Sequence, residues 1–411
     1  MNRHLLTSVI FFLATLMAAQ AQVKPGIEVL RDGSFAQLKG KRVGLITNPT
    51  GVDRSLKSTV DILHEAPGVE LTALFAPEHG VRGDVPAGEK VAQSVDKTTG
   101  VKVYSLYGAT RRPTAEMLRD VDVLVYDIQD NGCRSYTFIS TMGMAMEECA
   151  RLGKEFMVLD RPNPLGGNKV EGPLTEPDCQ SFVSRYPIPY LYGLTPGELA
   201  RMLAGEKMIK GADKLRLTVV PMQGWNRAMK YDDTGMPWVL PSPHIPSAET
   251  AFYYPATGIA GELDYLSIGV GYTLPFRTFA APWINGKKLA DALNALNLPG
   301  VRFRPLSYKP YYGFASGQQL QGVELYITDP DAAELTLVQY YVMQEIARLW
   351  PAHKASAGAK QARWSMFDKV NGSKEVRTRF LRRHNVDDIR DFWKKDEKAF
   401  SAAKSKYHIY N

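Results

Sequence analysis

Apolar residues along this chain come in short blocks separated by polar turns. "RVGLITNP", "VELTALFA", "VKVYSLYG", "DVLVYDIQD" and "EFMVLDRP" are compact runs rich in branched and aromatic residues, the mark of strands buried on both faces. Between them, "SLKSTVDILHEA" carries Val60, Ile62 and Leu63 at helical spacing. "TAEMLRDV" predicts a short helix, and "YTFISTMGMAMEECARLG" a long one closed by Gly153. Repeated strand–helix–strand order with apolar strands predicts a Rossmann-like α/β domain with a mostly parallel sheet, over residues 22–245.

The pattern then changes. "MPWVLPSPHIPS" has four prolines between Pro237 and Pro246 and reads as an extended crossing or a wall of a cleft. After it come a helix near residues 288–297, the strand-like "GVELYITD", a long helix over residues 332–350 and a charged helical end from Val386. Residues 246–411 are expected to form a second, smaller α/β or α+β domain. A length of 411 residues suits two cores better than one.

The start of the chain stands outside this pattern. Residues 1–21 have a short basic beginning, an apolar run over residues 5–19 and a small-x-small ending at Ala21. They read as a secretory signal peptide, so the mature protein is expected to be periplasmic or secreted, with no stable membrane insertion after cleavage. The formal charge of +7 becomes +6 once the leader's one Arg is gone, and it is spread along the chain. That gives no nucleic-acid signature, although an acidic glycan remains compatible. Cys133, Cys149 and Cys179 lack metal-ligand spacing. One disulfide is possible in an oxidising compartment, and Cys149 reads as helix core.

Candidate chemistry gathers where strands end. "PEHGVRGD" follows one strand, "DIQDNGCRSY" ends a second and "DRPNPLGG" follows a third. In open parallel sheets, ligands bind beyond the carboxyl ends of the strands. No G-x-G-x-x-G turn or P-loop is present, so no nucleotide cofactor is expected. No H-E-x-x-H spacing marks a metal site, and Ser135 and Ser140 lie outside any G-x-S-x-G elbow.

Several phrases together carry a family likeness: "FAPEHGVRGD", "VYDIQDNGCRSYTF", "VLDRPNPLGGNKVEGPL", "GLTPGELARML", "PSPHIP" and "LPFRTFAAPWI". In this order, over nearly all of the mature chain, they resemble the NamZ-type exo-β-N-acetylmuramidases, long catalogued as a domain of unknown function. The resemblance implies a cofactor-independent glycosidase that releases N-acetylmuramic acid from non-reducing ends of peptidoglycan fragments, muropeptides or disaccharides.

Glycoside hydrolysis usually takes two carboxyl groups, one of them an acid that holds its proton near neutral pH. Glu78 follows an apolar strand and Pro77 and matches the family's catalytic Glu. The resemblance places the second carboxyl at Glu262. The family's Glu-Gly-Thr is here Glu262-Leu263-Asp264, its Arg between two glycines is Val270, and its acid after "PF" is Arg277. These departures leave a second reading open, a non-catalytic glycan-binding protein of the same fold. A peptidoglycan amidase or esterase is a third.

Asp127 and Asp130 lie at a strand end and are candidate ligand contacts. Glu171 is a further carboxyl candidate, with a strand-edge ion pair as the plainer reading. His79 is a candidate sugar contact. The lactyl carboxylate of muramic acid calls for a cation, and Arg82, Arg134 and Arg161 all follow strand ends. Tyr136 and Asn163 are candidate partners for sugar hydroxyls or the acetamido group, and Trp238 a candidate stacking ring, or plain packing.

Overall fold

The computed structural model describes residues 22–78, 80–83, 94–108 and 110–411. Seven strands form the first sheet: β1 Arg42–Thr47, β2 Glu70–Ala76, β3 Ser94–Val95, β4 Lys102–Ser105, β5 Val123–Asp127, β6 Glu155–Leu159 and β7 Arg216–Val220. Their order is β3-β4-β2-β1-β5-β6-β7, with every pairing parallel except the edge pair β3–β4. The chain leaves β1 on one side through β2 and β4. It then returns to lay β5 on the other side, so the strand order reverses between β1 and β5.

Strand alternation divides the apolar residues between two faces. Val43, Leu45, Val123, Val125, Met157 and Leu159 join the core beneath α1 (Gly26–Asp32) and α2 (Thr59–His64). Ile46, Leu124, Tyr126, Phe156 and Val158 face the other way, toward α3 (Phe138–Leu152) and α4 (Pro196–Gly205). Gly153 ends α3 in the left-handed conformation at φ 65°, the usual job of a glycine after a helix. The helix expected at "TAEMLRDV" is absent: residues 115–120 make tight turns, and the chain enters β5 at Val123.

The second part opens with α5 (Thr250–Gly261) and builds an antiparallel sheet in the order β8-β10-β9, from Thr278–Ala281, Leu320–Ile327 and Val301–Tyr308. Its helices are α6 (Gly286–Ala295), α7 (Leu335–Leu349), α8 (Ala355–Gly358), α9 (Trp364–Asn371), α10 (Lys374–Arg383), α11 (Asp387–Lys394) and α12 (Glu397–Lys404). The two parts share one core. A single apolar cluster runs from Ile46 of β1 to Phe400 of α12. The tail returns to the first part, where Tyr410 donates to Asp160 at 2.6 Å and Asn411 accepts from the Arg227 amide at 2.8 Å.

Glu171 joins the parts. Its carboxylate accepts from the Leu335 and Thr336 amides at 3.2 and 2.8 Å and from the Thr336 hydroxyl at 2.7 Å. It thus caps the N-terminus of α7, whose first amides have no partner within the helix and whose dipole favours a negative charge. Lys169 also reaches it at 3.2 Å, so the ion pair expected of Glu171 exists alongside the cap. Glu171→Ala is expected to lower the unfolding free energy by about 1–3 kcal/mol, and Glu171→Gln by less, since its amide oxygen can still accept. Urea unfolding measures both, and equal stability for Glu171→Ala and the parent would remove the cap from the argument.

Candidate active site

Glu78 is placed by the exit of β2, where Ala76 ends the strand and Pro77 turns the chain out over the sheet edge. Beside it, β4 exits into Tyr107, whose hydroxyl hydrogen-bonds the Glu78 carboxylate. Burial, and then this bond, push the Tyr107 phenol up to about 12. A cavity of about 200 Å³ opens at Glu78. Its other walls are residues 135–138, which lead from β5 into α3, the proline-rich residues 242–245, and Tyr254 and Phe276 from the second part. Among the described residues lining it, Glu78 is the one carboxylate.

The walls are aromatic with hydroxyls set among the rings. Tyr136 meets Phe138 and Tyr254 edge-on at 5.1 and 5.7 Å, and Tyr254 meets Phe276 at 5.0 Å. The Ser135 hydroxyl is held by those of Tyr190 at 2.8 Å and Tyr254 at 3.1 Å. Apolar ring faces with hydroxyls at their edges suit a sugar, which presents C–H faces and a hydroxyl rim. The volume is below the ~300–1,000 Å³ of sites for drug-sized ligands. That favours one terminal sugar over an internal stretch of polymer.

Of the other expected contacts, Tyr136 lines this cavity and His79 lies outside the described residues. The remaining ones serve the frame. Arg82 pairs with Asp96 at 2.9 Å and Asp61 at 2.9 Å, and this pairing holds the Asp96 carboxyl down to about 2. Asp127 and Arg161 are buried against each other, the carboxylate also taking the Thr59 hydroxyl and the guanidinium reaching the Val52 carbonyl. Arg134 is fully buried among carbonyls. Asn163 braces the Gly132 turn, donating to the Leu194 carbonyl at 3.1 Å and accepting from the Leu165 amide at 3.0 Å. In the structure each of these five polar heads has protein partners, and none of the five lines the cavity.

Glu262 acts on the cavity wall without lining it: after burial, its charge is among those that raise the Tyr254 phenol. It follows the last turn of α5, eight residues beyond Tyr254, or about 12 Å along a helix axis. Burial raises its carboxyl while the Arg363 charge opposes the shift. Trp238 is packing: its indole donates to the Ile245 carbonyl at 3.1 Å and meets Tyr231 edge-on. All three cysteines are buried free thiols. Tyr107, Tyr254 and Phe276 are contributors the sequence did not single out. Tyr107 alone carried a signal, since it too follows a strand.

Asp130 lies under the floor. One carboxyl oxygen accepts from the Gly132 amide at 2.8 Å and the Tyr192 hydroxyl at 2.9 Å, while the other has no protein partner. Burial outweighs those bonds and pushes the group up to about 7. It is a buried, titratable support of the loop that presents residues 135–138, and it too is absent from the cavity lining.

Three comparisons bear on this arrangement. Residues 43–249 match the family model described as exo-beta-N-acetylmuramidase NamZ, N-terminal, and residues 252–410 match its C-terminal counterpart. The chain is 48% identical over 395 residues to the peptidoglycan beta-N-acetylmuramidase NamZ of Bacillus subtilis strain 168, covering 96% of this chain and 92% of that protein. Two crystal structures of DUF1343 family proteins from Bacteroides fragilis NCTC 9343 superpose over 95% of this chain and 99% of theirs. One is 56% identical with a TM-score of 0.91, the other 27% identical with a TM-score of 0.78.

The raised Asp130 has a consequence for stability. Its proton leaves the unfolded chain near the ordinary 3.8 but stays on the folded protein until about 7. Folding therefore takes up a proton in that window, and stability falls as pH rises across it. Asp130→Asn keeps a neutral group of the same shape, so its unfolding temperature is expected to fall less than the parent's between pH 5 and 8. Asp160, also pushed up to about 7 by burial, is present in both proteins, so the difference isolates Asp130. Parallel unfolding-temperature curves for the two proteins would show that Asp130 does not titrate there.

Proposed function

The chain belongs to the NamZ exo-β-N-acetylmuramidase family, and from that premise we propose that it removes N-acetylmuramic acid from non-reducing ends of peptidoglycan fragments with Glu78 as general acid. The observation that carries this reading is Glu78 itself, projecting from a strand end into a small aromatic cavity at the sheet's carboxyl edge.

Bond cleavage needs a proton on the leaving glycosidic oxygen as the anomeric carbon gains positive character. The Tyr107 hydroxyl, hydrogen-bonded to the Glu78 carboxylate, helps orient it toward the cavity that the substrate would enter. Of the cavity hydroxyls, those of Tyr136 and Ser242 are the candidates for the sugar's acetamido, hydroxyl and lactyl groups, since that of Ser135 is held by Tyr190 and Tyr254. Arg82, Arg134 and Arg161 are engaged by internal partners, so the lactyl carboxylate is left to other donors, among which Arg111 acts on Tyr107 beside Glu78.

The non-catalytic alternative rests on the departures at Val270 and Arg277, and neither residue lines the cavity. Arg277 pairs with Glu249 at 2.9 Å and Glu324 at 3.5 Å and lies over the Tyr253 ring. The reversed charge thus meets counter-ions at Glu324 of the second sheet and at Glu249, just before α5, away from the cavity lining.

Glu78→Gln is expected to lower kcat for release of free N-acetylmuramic acid about 10²–10⁴-fold, whereas Glu262→Gln stays within several-fold of the parent. A chromogenic β-N-acetylmuraminide reads both. Full activity in Glu78→Gln overturns the acid assignment. A parent chain that binds fragments without turnover supports the binding protein, and release of stem peptide or acyl groups supports an amidase or esterase.

Residues 1–21 carry the export part of the proposal. The mature chain is expected in the periplasmic or secreted fraction with Gln22 first. N-terminal sequencing of each fraction checks it, and a cytoplasmic chain that keeps residues 1–21 overturns it.

A further inference from the structure

We propose that Tyr311 and Tyr312, at the tip of the β9–β10 hairpin, form a stacking platform for the sugar on the leaving side of the scissile bond. The proposal rests on the muramidase reading above. These two side chains are 74% and 53% exposed, and Tyr311 is the most exposed large apolar residue described. Large exposed aromatic rings are uncommon on a folded surface and mark contact sites when they cluster.

Their position ties them to the cleft twice. The Tyr312 hydroxyl is 2.8 Å from Nε2 of His244, a residue of the cavity wall. The Tyr311 amide donates to the Gly271 carbonyl at 2.8 Å. Gly271 belongs to the loop that ends in Phe276, another cavity residue. At φ +92° and with room for no side chain, since a Cβ there would lie 1.9 Å from the Tyr312 carbonyl oxygen, Gly271 lets the hairpin tip press against that loop.

The exposed ring is also held before any ligand arrives. Tyr311 stacks on Tyr272 at 6.0 Å and 26°, and Tyr272 on Tyr308 at 4.5 Å and 25°. Tyr308 is buried, its hydroxyl bonded to Thr278 at 2.8 Å and Ser267 at 2.7 Å. A ring fixed in this way loses little freedom on binding.

The occupant follows from size and chemistry. A cavity of about 200 Å³ seats one sugar, so the remainder of a glycan must leave over the rim. A pyranose lays C–H bonds on an aromatic face, while the phenol edge offers a hydrogen bond. The hairpin therefore selects substrates whose leaving group is a sugar.

The test compares two substrates in the full-length mature protein. One is the methyl β-glycoside of N-acetylmuramic acid, whose leaving group is too small to reach the platform. The other is the peptide-free disaccharide of N-acetylmuramic acid linked to N-acetylglucosamine. Tyr311→Ala is expected to raise KM for the disaccharide about three- to tenfold with kcat little changed. Its kinetics on the methyl glycoside should match the parent's, and Tyr311→Phe should restore the disaccharide KM. Equal effects on both substrates, or none on either, overturn the platform and leave the muramidase reading standing. A parent that releases no muramic acid from either substrate overturns both. If Tyr311→Ala instead turns a sedimenting dimer into a monomer without splitting the two substrates, the face joins copies of this chain and the platform is overturned.

Discussion

The cleft depends on one buried cation. Arg134 has no exposed surface, and its guanidinium donates to the carbonyls of Pro173, Ile188 and Val370 at 2.8, 2.6 and 3.0 Å and to the Ser184 hydroxyl at 3.2 Å. No carboxylate touches it in these bonds. Burial pulls it down to about 10, still high enough to keep the charge at neutral pH. A charge without a counter-ion is costly inside a protein unless dipoles replace water around it. Here the dipoles come from segments that must converge, including α9 of the second part. The next four residues in the chain line the cavity, so the same contacts that keep the charge buried also set the cleft wall.

A second consequence is where the site opens. The strand order reverses between β1 and β5, which in open α/β sheets is the usual ligand crevice. In this protein that crevice is filled. Asp127 at the end of β5 is paired with Arg161 and Thr59, and Thr47 at the end of β1 donates to the Asp127 carbonyl. At the end of β6, Asp160 is wrapped by Thr195, Gly197 and Tyr410. Glu78, one strand over on β2, projects into open space. The polar strand ends thus divide the work: β5 and β6 hold the loops, and β2 presents the reacting group.

This division explains what the sequence could and could not reveal. Strands and their two faces were legible because burial imposes a period of two, and Gly153 was legible because a helix end needs a left-handed residue. Polar clusters at strand ends were legible as clusters. Their inward or outward sense was not, because it depends on partners far along the chain. Arg134 meets Val370 at a separation of 236 residues, and Arg161 meets Val52 at 109. From the sequence, each read either as an internal partner or as a cation for a ligand, and only these distant contacts decide it. Tyr254 was hidden for the opposite reason: in "TAFYYP" it reads as ordinary core, and only the packing of α5 turns it to the cleft. Glu262, placed by phrase matching, sits directly after α5, where its charge reaches Tyr254 of the cavity wall.

The second part is more than a support. Tyr254 and Phe276 supply two walls of the cavity, and α5, which carries Tyr254, is fixed by Gln339 of α7. That side chain donates to the Pro255 carbonyl at 2.9 Å and accepts from the Ala260 amide at 2.8 Å, bracing a helix that a proline interrupts. A core continuous from β1 to α12 and a tail bonded back to Asp160 leave little freedom for one part to swing against the other. Specificity in such a frame belongs to the loops on its rim, residues 269–276 and the β9–β10 hairpin, which can vary without disturbing the buried charges beneath. The departures at Val270 and Arg277 fall in or beside the first of these loops and leave the Glu78 wall intact. The acid and its small pocket sit on the rigid sheet edge, while the variable positions lie where the rest of the glycan would pass.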